Sequence, residues 1–386
     1  MTTIAEFYGD WLTGSVDEVG PQVLSTLVDH HRDESKFRVY KPSAHSKWMA
    51  SSALQKSIRR GLDESAAKFC DQLIQVDADY MMRRLHTVAA EDLGIANLLL
   101  MAAHAKGSTK TFQAKMGGTT LVARALVAEM AHSPKCRLAD ELKTLDLREF
   151  PESLAEQYNQ EIAHHSDNEL LDMLANRELP LSKRMLALIY YTRFEPSDRN
   201  VLVVRSAPKL NWRTALMNAC QALGTPPLIR DLCWVYAGRM MERQAYCLPI
   251  AWDTMCDQTW HTEDDHGIVD SECDGWPAAA IDGHTSPGKK ALKRLMRDSL
   301  SKELAEQHVI DLDFCRERAF HLTIFRTEGH LCRQRLTNDV SAGIRVKSSE
   351  AVVSQYCHTL EDGRAMLAHG QELLDRLNII RQSMAK

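Results

Sequence analysis

Six basic residues near the start of the chain have a spacing that suits phosphate binding. They are Lys36, Arg38, Lys41, Lys56, Arg59 and Arg60. Aromatic residues lie among them, and Phe37, Tyr40 and Trp48 have rings on which bases can stack. Because lysine and arginine neutralise the phosphate backbone, this run predicts a nucleic-acid-binding face. The alternative is a solvated helix surface, because nearby acidic residues balance the charge.

A second set of residues has the types that bind zinc. Cys256, His261, His266 and Cys273 are separated by four, four and six residues. Thiolates and imidazoles are the ligands of tetrahedral zinc, and the surrounding carboxylates would suit a harder ion. Structural zinc sites usually pair ligands about two to four residues apart, so this site would need unusual loops. The alternative is an exposed acidic loop that docks a basic partner or covers a neighbouring helix.

The stretch from Gly283 to Lys290 comes close to a nucleotide-binding motif. Its spacing matches G-x-x-x-x-G-K, but Lys290 stands where Ser or Thr would bind magnesium. The preceding residues do not have the pattern of the strand that such a loop follows. We therefore favour a helix start, with Thr285 or Ser286 as the N-cap. Since the G-x-S-x-G, H-E-x-x-H and Rossmann glycine motifs are also missing, no catalytic residue is predicted and no cofactor is expected, zinc being the one alternative.

Composition narrows the class of protein. The 386 residues are 44% hydrophobic and 26% charged, with a formal net charge of −5. No run of about 18 apolar residues occurs, and the early Glu6 and Asp10 argue against a secretory signal. The ten cysteines are scattered and include no C-x-x-C pair, as expected for reduced thiols. We expect a cytoplasmic protein that does not bind membranes.

The elements that must position these residues are helices, and the clearest lie between Lys47 and Gly94. A first helix should end at Gly61, because glycine readily takes the left-handed conformation of a C-cap. Two further helices repeat the i, i+3, i+4, i+7 spacing of a core-facing stripe, from Ala66 to Ile74 and from Met81 to Ala89. Three short helices joined this tightly predict a small antiparallel bundle.

Three segments of this bundle, S-A-L-Q-K-S-I-R-R-G, M-R-R-L and A-E-D-L-G-I-A-N, carry a family resemblance. The stretch resembles the clamp-loader-collar-like C-terminal region of the RarA/MgsA group, which are replication-associated recombination AAA+ ATPases. The matching positions are Lys56, Ser57, Arg59, Arg60, Gly61, Arg83, Arg84, Glu91, Asp92, Gly94 and Ala96. A weaker match to a D-x-H-T-x-x-G element lies at Asp282, His284, Thr285 and Gly288. The resemblance implies a helical oligomerisation module associated with DNA.

The resemblance covers about sixty residues and excludes the ATPase part of the family. Members of the group carry a nucleotide-binding module before the collar, and Lys47 is preceded here by a segment too short to hold one. We therefore expect the assembly function of the family without its ATP chemistry.

The fold class predicted for the chain is all-α, with antiparallel helical bundles. The predicted regions are a helical or irregular segment at 1–46, the collar-like bundle at 47–107, a helical region at 117–258, an acidic irregular loop at 259–286 and a helical region at 287–386. In the last region, the spacing predicts one long helix from Ser349 to Ser383.

The predicted function is that of a non-enzymatic assembly or adaptor protein of DNA replication or repair. The expected partners are replication or repair proteins, DNA and other copies of the chain. Met81, Met82 and the run from Leu98 to Met101 supply the apolar surface for such self-association. The alternatives are a nucleotide- or metal-dependent enzyme, and a viral or plasmid factor that engages host replication proteins.

Overall fold

A computed structural model of the chain describes residues 2–32, 47–145, 152–192, 211–240, 242–273 and 275–384. These residues form twenty α-helices and two two-stranded antiparallel sheets. The prediction of a helical protein is therefore confirmed, although the sequence patterns missed the short strand pairs. In the described ranges, no helix is long and apolar enough to cross a membrane.

Eleven helices precede residue 193. They are α1 Ile4–Tyr8, α2 Val16–His30, α3 Lys47–Arg59, α4 Asp63–Val88, α5 Leu98–Gly107, α6 Lys110–Lys115, α7 Thr119–His132, α8 Leu138–Thr144, α9 Glu152–His164, α10 Asp167–Ala175 and α11 Leu181–Thr192. Nine helices follow residue 210. They are α12 Trp212–Ala222, α13 Pro227–Trp234, α14 Leu248–Met255, α15 Ser286–Leu295, α16 Ser299–His308, α17 Asp313–Ile324, α18 Asp339–Ser354, α19 Leu360–Ala368 and α20 Gly370–Met384.

Local capping signals set several helix ends where the sequence predicts them. Ser166 and Glu169 form a reciprocal capping box at the start of α10. Gly61 has a φ of 64° after α3, as a left-handed helix end requires. Asp77 leaves the helical conformation inside α4 and its carboxylate accepts from the Tyr80 N–H at 2.8 Å, so it starts the predicted third helix.

The predicted single helix from Ser349 to Ser383 is wrong, because three helices cover this part of the chain. After α18, Cys357 forms an isolated β-bridge with Val309, and Thr359 then caps α19. Gly363 lets α19 approach α18 closely, since a Cβ at this position would lie 2.8 Å from the Cβ of Ser354. The apolar pattern between Ser349 and Ser383 is thus shared by three helices, α18, α19 and α20.

The acidic segment, predicted to be irregular, contains three of the four strands. β1 (His261–Glu263) pairs with β4 (Arg335–Thr337), with His261 opposite Thr337. β2 (Glu272–Cys273) pairs with β3 (Trp276–Pro277). β4 lies more than sixty residues further along the chain than β1. Local sequence patterns therefore could not predict that these two strands pair.

The buried apolar residues form two clusters. The larger extends from Ile4 to Ile281 and includes Leu336 and Ile344, and the smaller lies between Ala291 and Leu377. All ten cysteines are buried and none forms a disulfide. Met81, Met82, Leu98, Leu100 and Met101 are also buried, so the surface predicted for self-association is covered within the chain.

Candidate functional site

Helix α3 runs through the interior, and this decides the position of its basic residues. Lys56, Arg59 and Arg60 have exposed fractions of 4%, 1% and 1%. The prediction that they form an exposed basic face is wrong, because phosphate groups of an external nucleic acid could not reach them. The other members of the predicted face, Lys36, Arg38 and Lys41, lie outside the described residues.

The buried guanidinium of Arg59 binds two carboxylates that follow α4. Its Nε lies 2.8 Å from Oδ1 of Asp92 and its Nη2 lies 3.0 Å from Oε1 of Glu91. Gln55 also donates to Asp92, from Nε2 to Oδ2 at 3.0 Å. Since a buried carboxylate must find hydrogen-bond donors, these contacts are what allow Asp92 to be fully buried.

A second arginine completes this group. Nη1 of Arg137 lies 2.7 Å from Oε1 of Glu91 and also binds Asp92, while its Nη2 lies 2.7 Å from Oδ2 of Asp140. We call Arg59, Glu91, Asp92, Arg137 and Asp140 the Asp92 cluster. Burial alone would raise the pKa of Glu91 and Asp92, but the two arginines lower the pKa of each to about 2.

The turn that carries Glu91 and Asp92 is an unusual one. Residues Ala89–Leu93 form a single π-helical turn that continues α4, and Gly94 follows with a φ of 48°. A Cβ on Gly94 would lie 2.6 Å from the Cys136 carbonyl oxygen, so only glycine fits. The wide turn and the close approach to Cys136 together place both carboxylates opposite α3.

Lys56 pairs with a residue from the second half of the chain. Its Nζ lies 2.8 Å from Oδ2 of Asp282, and Ser52 Oγ donates to the same oxygen at 3.2 Å. Burial lowers the pKa of Lys56, although Asp282 opposes this effect. Burial would raise the pKa of Asp282, but Lys56 holds it well below its usual range. The structure thus joins the two separate segments that carry the family resemblance.

The other side chains of these segments have different surroundings. Arg84 joins the Asp92 cluster through Gln55, to which its Nη2 donates, whereas Arg83 is exposed. The ring of exposed His284 meets buried His321 edge to face, at 4.6 Å between centroids. Burial lowers the pKa of His321 to about 4, so this imidazole is neutral at pH 7.

The start of α15 explains why Gly288 occupies its position. Thr285 caps the helix as predicted, its Oγ1 accepting from the Gly288 N–H at 3.1 Å. The cavity beside Asp282, Gly283 and Gly288 has a volume of about 10 Å³, room for roughly one water molecule. A nucleotide does not fit there, so the near-match to a phosphate-binding loop is a helix start in this conformation.

Replacing Gly288 by alanine should destabilise the protein. The added Cβ would lie 1.8 Å from the carbonyl oxygen of Asp282, and backbone must shift to admit it. Overpacking of this kind costs about 1–3 kcal/mol. The matched control is Gly343→Ala in α18, where nothing lies within 4 Å and the change should stabilise by about 0.5–1 kcal/mol. Urea unfolding measures both, and equal midpoints for the two variants would contradict the packing argument.

The predicted zinc ligands are not brought together. Cys256 and Cys273 are buried, His261 and His266 are exposed, and no three of these side chains form a group that could hold a metal ion. Cys256 directly follows α14 and Cys273 lies on β2, whereas His261 belongs to β1, which is held by β4. The strand pairings therefore separate residues that lie close in sequence.

Carboxylates of the acidic segment are instead bound within the chain. Oδ2 of Asp265 accepts from Nη2 of Arg335 at 2.7 Å, and Arg345 binds the other oxygen. Nη1 of Arg335 also donates to Glu141 at 3.2 Å. The carboxylate of Asp265 is thus neutralised by arginines of the same chain and is not available to a basic partner protein.

Sequence reasoning missed the cations that complete these clusters. Arg137, Arg335 and Arg381 are buried, and Arg381 binds Glu328 at 2.9 Å and the Ile281 carbonyl oxygen. Each stands apart from any basic run or motif, so no sequence signal singled it out.

No protein-family model, no curated protein and no solved structure matches this chain.

Proposed function

We propose that this chain is a non-enzymatic assembly or adaptor protein associated with DNA replication or repair, with a collar-like helical bundle between residues 47 and 107. The observation that carries the proposal is the mutual pairing of the family-motif side chains. Arg59 binds Glu91 and Asp92, and Lys56 binds Asp282, all in the interior. Side chains whose polar atoms bind one another in this way hold helices in place and are not available to a substrate.

Two cavities in the described part of the chain are smaller than the usual pocket for a small-molecule substrate. One of them lies between the acidic segment and α20, beside Cys273, Asn378 and Arg381, and holds about 150 Å³. Ligand pockets usually have volumes of about 300–1,000 Å³. The alternative of a nucleotide- or metal-dependent enzyme therefore has less support than the adaptor. Tight stoichiometric binding of ATP, or of zinc in a metal analysis of the purified protein, would favour the enzyme.

Self-association is the measurable part of the proposed function. Most apolar residues of α4 and α5 are buried, with Val76 at 57% exposure an exception, so copies must meet largely through other surfaces. Large apolar side chains are exposed elsewhere in the described structure, among them Phe7 at 58%, Phe314 at 60% and Ile379 at 68%. Exposed apolar side chains favour contacts between subunits where they form a contiguous patch.

We expect light scattering at micromolar concentration to give a mass that is a multiple of the 43.6 kDa chain. Contacts between apolar side chains do not weaken as salt is added. The mass should therefore be the same in about 0.1 M and in about 0.5 M sodium chloride. A single species at the mass of one chain would remove assembly from the proposal and leave the resemblance as a statement about fold.

A further inference from the structure

An exposed basic surface does exist in this protein, but on helix α15. Five cations and no carboxylate occur between Gly283 and Arg297. We call Lys289, Lys290, Lys293, Arg294 and Arg297 the α15 cation cluster. All five are exposed. Lys289 and Lys293, like Lys290 and Arg294, are four residues apart and hence about 6 Å apart along the helix.

The cluster has no acidic partners in the described part of the chain. None of its five side chains forms an ion pair there, whereas many other surface cations do, such as Lys110 with Asp79. The carboxylates on either side in sequence are already engaged, because Asp282 binds Lys56 and Asp298 binds Arg376. Like charges four residues apart weaken a helix, so this surface is a mild cost to the fold that a polyanionic ligand would relieve.

The opposite side of α15 decides between kinds of polyanion. Ala291, Leu292 and Leu295 are buried in the smaller apolar cluster, so they cannot enter a lipid bilayer. An amphipathic helix that inserts into a membrane surface needs a free apolar face for that purpose. A nucleic-acid backbone needs only the cations, and a duplex presents one negative charge per about 1.7 Å of its axis.

We infer that the α15 cation cluster binds the phosphate backbone of DNA. The inference rests on the proposed function for the choice of DNA among polyanions, and it moves the DNA-binding surface from the first basic run to α15. The contacts inferred are with phosphates, which position a protein on DNA and carry no sequence information directly.

The test measures binding of the full chain to a labelled duplex of mixed sequence by fluorescence polarisation, over a range of salt concentrations. The variant Lys289→Gln, Lys293→Gln, Arg297→Gln removes three charges. The control Lys115→Gln, Arg230→Gln, Arg243→Gln removes three exposed charges from other elements. We expect the wild-type protein and the control to bind alike. The α15 variant should bind at least about tenfold more weakly, and its salt dependence should flatten by about 0.9 per lost phosphate contact.

Several outcomes would overturn the inference. One is a wild-type protein that does not bind the duplex at low salt, and another is an α15 variant that binds as the wild type does. Equal weakening of variant and control would assign binding to overall charge, and binding to phosphatidylserine vesicles in place of DNA would assign it to a membrane surface. Light scattering on the same samples separates this result from the proposed function, since a chain that is monomeric but binds DNA through α15 refutes assembly alone.

Discussion

Replacing Asp92 by alanine is expected to lower the free energy of unfolding by about 3–5 kcal/mol, the usual cost of removing one partner from a buried ion pair. Asp92 is fully buried and binds Gln55, Arg59 and Arg137. Without it, Glu91 is the one carboxylate that the two guanidinium groups still share. Arg137 keeps Asp140 as a further anion, but Arg59 is left with Glu91 alone, and the interior does not solvate charge that is no longer balanced.

Urea unfolding followed by circular dichroism measures this loss. The matched control is Asp79→Ala, which removes an aspartate whose pair with Lys110 lies in solvent, with side chains 60% and 69% exposed. Pairs of this kind contribute little, so the control should unfold at the wild-type midpoint. Asp92→Asn keeps the size of the side chain and separates charge from packing. If Asp92→Ala and Asp79→Ala had the same midpoint, the Asp92 cluster would not stabilise the fold.

The stability of the protein should also fall as the pH is lowered from 7 to 4. Burial is the main reason that the pKa of His321 is lowered to about 4, and it holds the pKa of His104 and of His330 well below the ordinary value. The unfolded chain therefore binds protons near pH 6.5 that the folded chain does not bind, so folding is penalised below that pH. For His321 alone, the loss at pH 4 is about 3 kcal/mol.

Carboxylates act on the same balance in two directions. Burial raises the pKa of Glu141, so this group opposes the histidines by taking up a proton more readily in the folded state. Glu91 and Asp92 have a pKa lowered to about 2, so their contribution is complete above about pH 4.5 and is lost as the pH falls toward 2. The histidines therefore dominate between pH 6.5 and 4, and the Asp92 cluster dominates below that range.

Urea midpoints measured from pH 7 to pH 4 test the part played by His321. We expect His321→Gln to show a smaller decline than the wild type, by about one bound proton, because glutamine does not titrate. His261→Gln removes a ring that is 64% exposed and serves as the matched control. Because the comparison concerns slopes, a change in packing at position 321 does not affect it. Parallel curves for His321→Gln and the wild type would contradict this assignment.

Burial of charge constrains which substitutions the fold tolerates at Lys56 and Arg59. Arg59 and Lys56 are held by acidic partners from two separate parts of the chain, so a change in one partner leaves a charge with less compensation. The exposed lysines of α15 are under no such constraint, because no described side chain depends on them. Substitutions of the exposed cations of α15 should therefore alter binding without loss of the fold, whereas those of the buried cations of α3 should alter the fold first.

Local patterns of the sequence determined the helical class and many helix ends. Thr285 caps α15 where it was expected to, and Asn97 and Ser166 cap α5 and α10 in the same local way, because a cap is made by a side chain and a backbone N–H within three residues of each other. The same short range explains the break at Asp77. Where a stripe of apolar residues continued across turns, as between Ser349 and Ser383, the spacing alone could not show that three helices share it.

Only the tertiary structure decided which charges are buried. The first basic run and α15 look alike as sequence, yet Arg59 is enclosed and Lys289 is in solvent. The partner of Lys56 is Asp282, 226 residues away, and the charge of a residue does not reveal whether a distant opposite charge will reach it. The two surfaces differ because α3 packs among other helices along its length, whereas α15 packs on one side and leaves its cations to the solvent.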